Sequence, residues 1–322
     1  MANTTSNSTA FIEAQQYSSF ILENLHDGQL PTNFYRNVSD FGSGTTLNIK
    51  TLGDVSIQDV EENTPLAYNP LESGNVTLSI TDYKGHAWYV TDILRQDGAQ
   101  VEALLAQHAQ SATRAIQEDF ETRFLEVCDS AQVAADPNNV NGFAHRVLAS
   151  GGNEQMAEVD LINMRLAFDK ANVPMAGRIA IVDPVVAATF SRLITLTSAT
   201  EHSRNPIFQS LLEQGFDRDH QFVMNLHGWS IWTSNRLADV AAGTDVDGSN
   251  SVTNAGKANV FMSILDDQTK PIMTAWRQPP KVESERNKDR QRDEFLTTAR
   301  YGLGPQRIDT LGIVVSDATA TA

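Results

Sequence analysis

Histidines are the side chains here best suited to proton transfer or metal ligation, and there are seven: His26, His86, His108, His145, His202, His220 and His227. No two stand three or four residues apart, the spacing that would put both on one helix face, so metal catalysis has no support from spacing. The single cysteine, Cys128, would be a nucleophile only if a histidine and an acid met it in space. Its place at the end of an apolar stripe marks it instead as an inert, packed thiol. The paired acids Glu61 and Glu62 lie in a proline-containing stretch and read as a solvated tip rather than an acid/base couple. Asp245-Val246-Asp247-Gly248 is like the start of a calcium loop, but the required glycine position and the terminal glutamate are wrong. From Lys281 to Arg300, 6 basic and 5 acidic residues alternate, a pattern for ion pairs on an exposed ribbon or across an interface. Phosphate-cradling, dinucleotide, zinc-protease, serine-hydrolase and CxxC motifs are all missing. No catalytic residue, cofactor or metal is therefore expected.

Bulk properties narrow the remaining classes. The 322 residues suggest roughly two domains or one elaborated one. With 41% hydrophobic and 20% charged residues the composition is that of a folded globular protein. No run approaches the ~18 apolar residues of a membrane span. The polar start MANTTSNSTAF does not resemble a signal peptide, and one cysteine permits no internal disulfide, so folding in a reducing cytosol is expected. The formal charge is −16, with 2 basic and 9 acidic residues in the first 80 and balance only after residue 270. Tight DNA binding by counterion release needs a cationic face, which is missing; merely surrounding DNA does not.

The elements that must position these residues follow from periodicity. Phe11, Ala14, Tyr17, Ile21 and Leu25 share a helical face, either of an amphipathic arm or of an ordinary core helix. Residues 45–60 and 75–92 alternate apolar and polar side chains and predict a long β-hairpin, which would be marginal alone and needs a partner surface. From Asp92, placed as cap, to about Cys128 the three-and-four spacing predicts one helix of about 36 residues and roughly 54 Å. A helix over 154–172 is predicted with Met156, Val159, Ile162 and Leu166 as its apolar face. RIAIVDPVVAATFSRL reads as strand, turn and helix, with Asp183 as cap and Pro184 as first helical residue. QFVMNLHGWSIWTSN is a strand pair broken at Gly228, with Trp229 and Trp232 on opposite sides. Residues 241–257 read as a mobile loop, FMSILDD and PIMTAW as a hairpin around Gln268 and Thr269, KVESERNKDRQRDEFLTTARYG as a long charged ribbon, and RIDTLGIVV as a last strand.

Three stretches carry a resemblance: DFGSGTTLNIKTLGDVSIQDVEENTPLAYNPL, the return NVTLSITDYKGHAWYVTD, and ILRQDGAQVEALLAQHAQSATRAIQEDFETRFL. With GRIAIVDPVVAATF, NPIFQSLLEQGFDRDHQFVMNLHGWSIWTSNRL and RYGLGPQRIDTLGIVV, their order resembles the major capsid proteins of tailed bacteriophages, which have the Hong Kong 97 fold. The likeness covers about residues 11–315 and is one of segment order rather than of a short motif. It implies an α+β fold with an N-terminal arm (1–42), an extended β-hairpin loop (43–91) and a peripheral domain with spine helix (92–177). An axial domain (178–265) and peripheral return strands with a C-terminal tail (266–322) complete it.

The resemblance implies a mechanical function: hexamers and pentamers of an icosahedral shell around double-stranded DNA, in a virion assembled in the host cytoplasm. A separate scaffolding protein is expected because the arm is short, along with a portal and room for a decoration protein. The loop tip has no lysine between Lys50 and Lys84, so no Lys–Asn crosslink is expected. Contact positions are assigned to Phe11, Tyr17 and Phe20 in the arm and to Pro65, Leu66 and Tyr68 at the tip, with Arg286, Arg290 and Arg292 pairing to Glu61 and Glu62 of a neighbour. The alternatives are an encapsulin-like compartment of the same fold, separable by its genome neighbours, and a cytosolic hydrolase, separable by sedimentation.

Overall fold

The computed structural model describes residues 29–38, 44–52, 57–60, 62, 65, 73–98, 101–133, 138–196 and 222–317. Its strands are β1 (Arg36–Asn37), β2 (Thr46–Leu52), β3 (Ser73–Ser79), β4 (Asp82–Thr91), β5 (Arg146–Leu148), β6 (Arg178–Val182), β7 (Phe222–Leu226), β8 (Trp229–Thr233), β9 (Asp239–Val240), β10 (Gly256–Ser263), β11 (Ile272–Asn287), β12 (Arg292–Pro305) and β13 (Leu311–Asp317). The helices are α1 (Asp92–Asp97), α2 (Val101–Ala131), α3 (Glu158–Lys170) and α4 (Pro184–Leu196). The predicted arm helix over 11–26 lies outside the described residues.

A seven-stranded mixed sheet in the order β5-β13-β10-β6-β8-β7, with β9 beside β10, forms the centre. β6 and β13 are buried along their whole length, as strands covered on both faces must be. Ile179, Ile181, Val260, Ile313 and Val315 face Phe124, Leu125 and Cys128 of α2, while Ala180, Val182, Phe261 and Val314 face Leu161, Met164 and Phe168 of α3 and Phe190 of α4. Each such aliphatic side chain contributes about 1.5–3 kcal/mol by leaving water. Of the predicted strand RIDTLGIVV, Ile308–Thr310 form a 3-10 turn and the strand β13 begins at Leu311, a central strand pairing β10 antiparallel and β5 parallel. The sheet draws its strands from residues 146–148, 178–263 and 311–317, distant in sequence.

Local chemistry explains several junctions. Asp183 caps α4, its carboxylate accepting from Val185 N at 2.9 Å, while buried Asn259 accepts from Asp183 N and donates to Val314 O and Ser316 Oγ. His227 and Gly228, both at positive φ (51° and 85°), form the two-residue turn between β7 and β8. Trp229 and Trp232 pack on opposite faces of the sheet, as alternation predicts. Buried Arg146 donates to Asp129 O and Gln132 O, closing the C-terminal end of α2 onto β5.

Five expectations are corrected. The strand-rich segment is divided: β2 pairs β3, but β4 leaves the hairpin and pairs β12 in a second sheet, β1-β11-β12-β4. There Trp88 stacks on Phe295 at 5.5 Å, an aromatic partner that β2 does not offer. The long helix is two: Thr91, not Asp92, caps α1, accepting from Leu94 N, and Gly98 ends it in an extended conformation where a Cβ would sit 2.5 Å from Leu94 O. On α3 the buried stripe is Leu161, Met164 and Phe168, leaving Val159, Ile162 and Leu166 exposed, because the helix carries two apolar stripes and the sheet beneath covers only one. Residues 241–257 are fastened, not loose: Val246 and Val252 are buried in the core, and Asp247 accepts from Ser249 N and Asn250 N. Finally, β10 and β11 do not pair. The turn at Asp266–Thr269, where Asp266 accepts from Gln268 N and Thr269 N, passes the chain from one sheet to the other.

Candidate subunit interface

The charged ribbon is the β11–β12 hairpin, paired from Ile272↔Pro305 out to Asn287↔Arg292, with β4 along its edge. At its tip Arg286 grips Asp92 through two hydrogen bonds of 2.9 and 2.7 Å and also reaches Asp293 at 3.2 Å. Arg95 of α1 pairs with both Asp293 and Glu102, and Gln291 O accepts from Asp92 N, so α1, the start of α2 and the ribbon tip form one clamp. The Arg286 guanidinium holds the Asp92 carboxyl below its ordinary range, and Asp92 in turn pushes Arg286 up. Arg292 donates to Glu294 at 2.7 Å, lowering that carboxyl, and lies 4.3 Å from the Tyr89 ring centre. Among the described residues Arg290 has no ion pair; its backbone N–H donates to Asn287 Oδ1 in the turn.

The three arginines assigned from sequence therefore come together at one tip, with Arg286 and Arg292 already engaged inside the chain. Glu62 and Pro65 are exposed. Phe11, Tyr17, Phe20, Glu61, Leu66 and Tyr68 lie outside the described residues.

Among the described residues the β2–β3 hairpin is anchored along its strands, with Leu47, Ile49 and Val76 packed at the edge of the same apolar cluster as its root. Leu78 and Ile80 pack with Met273 and Ala275 of β11, and the hairpin crosses β12 at Gly302, where a Cβ would meet Ser79 O at 2.4 Å. Toward the tip Ile57 is 96% and Val60 73% exposed. Sequence reading missed these two, which stand three apart among polar neighbours and so share no strand face that alternation could reveal. It also missed Ile93 and Leu94, exposed on α1 beside the clamp. Scattered surface aliphatics are ordinary; several on protruding elements mark contact surfaces.

Elsewhere polar groups are held by structure. Cys128 is fully buried, and burial pushes its thiol far up, away from nucleophilic use. A cleft of about 240 Å³ between Leu30, Tyr35, Phe120 and Trp276 contains Glu121, raised by burial. That carboxylate accepts from Leu30 N and Ser234 Oγ and faces Arg236 at 3.4 Å, tying the arm's root to α2. Among the described residues no three metal-ligating side chains cluster.

A family model described as "Phage capsid protein" matches residues 75–316. Among solved structures, one from Mycobacterium phage Che8 is similar at 20% identity and TM-score 0.65, covering 97% of this chain and 99% of that one. The capsid of cyanophage P-SCSP1u is similar at 14% identity and TM-score 0.67, covering 99% and 96%. The mature capsid of bacteriophage PhiM1 is similar at 15% and 0.68, covering 98% and 95%. No curated protein matches the sequence.

Proposed function

Because the chain belongs to the phage capsid protein family and is a major capsid shell protein of the virion, we propose that its copies close into hexamers and pentamers of an icosahedral shell around double-stranded DNA. The observation that carries this reading is the β2–β3 hairpin, rooted in the chain's own fold but presenting Ile57 and Val60 to solvent. A ribbon of two strands is marginal in water unless another surface covers it. The cover is a neighbouring subunit, with arm-over-neighbour burial contributing roughly 25 cal/mol per Å².

The division into arm, extended loop, peripheral and axial domains belongs to the same proposal, as do the arm contacts of Phe11, Tyr17 and Phe20 and the tip contacts of Pro65, Leu66 and Tyr68. Of the three arginines, Arg290 is the first candidate to meet Glu61 and Glu62 of a neighbour, since Arg286 and Arg292 hold carboxylates of their own chain. The net charge of −16 favours a wall that surrounds DNA without gripping it. Assembly in the host cytoplasm, a scaffolding protein and a portal complete the proposal, and co-purification tests those partners. The role is structural, without chemistry. Sedimentation and negative-stain microscopy of the chain expressed with its scaffold test the central reading: closed shells support it, and a stable monomer or small oligomer under all assembly conditions overturns it.

A further inference from the structure

His86 on β4 and His108 on α2 stand 22 residues apart in sequence, yet their Nε2 atoms lie 3.2 Å from each other. Both side chains are exposed, so the space between them opens to water. Trp88 stacks on His86 at 5.5 Å and meets His108 edge-on at 4.9 Å, which fixes both rings. Two imidazole nitrogens bound to one tetrahedral ion at about 2.0–2.1 Å each are separated by about 3.3 Å, so the pair already has the spacing of two ligands of one metal. The alternative, a hydrogen bond between the rings, requires one Nε2 to carry a proton and the other to lack it.

Among the described residues, Trp88 Nε1 and Oγ1 of Thr297, which faces His86 across the β4–β12 ladder, are buried without a hydrogen-bond partner, so neither competes for the two imidazole nitrogens. Lys84, two residues before His86 on the same strand face, is matched by Asp119 at 3.3 Å, so its charge is balanced beside the pair.

We propose that His86 and His108 form a two-histidine site for a late first-row transition-metal ion of the Zn²⁺ or Cu²⁺ class, pinning the edge strand of the ribbon to the spine helix. No third histidine, cysteine or carboxylate joins them among the described residues, so water or a neighbouring copy fills the remaining positions. This proposal does not depend on the shell reading.

The test uses the purified full-length chain. Equilibrium dialysis and thermal unfolding are run with Zn²⁺, with Cu²⁺ and, as control, with Mg²⁺, for the natural sequence and for His86→Gln and His108→Gln. Both substitutions are at exposed positions and leave the fold intact, which circular dichroism checks. One Zn²⁺ or Cu²⁺ per chain, a saturable rise in Tm that Mg²⁺ does not reproduce, and at least tenfold weaker binding in each variant are expected. Binding that both variants retain, or no binding by the natural sequence up to millimolar metal, overturns the proposal and leaves the histidines as a hydrogen-bonded pair.

Discussion

The seven-stranded sheet and the β2–β3 hairpin are built from the same residue types but end in opposite states. Val260, Ile313 and Phe261 of the sheet are fully covered by helices of their own chain, whereas Ile57 and Val60 near the hairpin's tip have no cover. The contrast teaches that one chain encodes a finished part and an unfinished part, and that the second is where other copies must act. The largest expected effect lies in the finished part. Trp229 packs edge-on against Phe168 and Phe261 and donates its indole N–H to Leu161 O, so Trp229→Ala should cost about 3–5 kcal/mol of folding stability. Chemical denaturation of the unassembled chain measures it; a loss near that of a surface change would break the comparison.

Gly302 marks the boundary between the two parts. Its α-carbon lies against the backbone at Ser79 and Ile80, so Gly302→Ala forces the hairpin root off the ribbon at about 1–3 kcal/mol. Amide exchange should accelerate around Leu78 and Ile80 while β13 keeps its protection. Equal acceleration in both regions would mean that root and sheet unfold as one unit.

How far these regions were legible from sequence follows the same line. β6, Asp183, Pro184 and α4 were readable because cap, proline and a continuous apolar run all act within a few residues. The ribbon's charge alternation was readable for the same reason. What periodicity cannot give is the identity of a partner: Leu161 and Ile162 lie on different stripes of α3, and only the sheet beneath decides which is buried. The fastening of residues 241–257 rests on two valines among small residues, too little hydrophobic surface to register as core. His86 and His108 meet only because β4 abandons the hairpin for β12, a choice of sheet that no local pattern records. At the interface, the ribbon arginines were found by charge, but their own-chain partners Asp92 and Asp293 were not, since Asp92 looked like a helix cap.

The clamp at the ribbon tip should respond to pH while the apolar core does not. Asp92 and Glu294 have folded-state pKa values depressed by Arg286 and Arg292, so their contribution is present above the ordinary carboxylate range and is lost as pH falls through the lower folded values. As pH falls below the ordinary carboxylate range the tip should therefore loosen. Arg286→Ala should flatten that acid dependence and leave neutral-pH stability nearly intact, because the pairs are exposed and screened. Stability against pH, recorded for both chains, checks it; parallel curves would remove the clamp from the account.

The smallest effect on the isolated chain is the most informative. Ile57→Ser and Val60→Ser delete side chains that touch water, so folding stability should move by no more than about 0.5 kcal/mol. If the hairpin is completed by a neighbour, the same double substitution removes apolar surface from every copy of that contact, and the deficit is multiplied around a closed shell. Shell yield by sedimentation should fall steeply while Tm of the unassembled chain stays put. A yield equal to that of the natural sequence would place the neighbour's grip elsewhere, on the exposed α3 stripe of Val159, Ile162 and Leu166 or on Ile93 and Leu94. A fall in both quantities would show instead that the tip folds back on its own chain, and the division between finished and unfinished parts would fail.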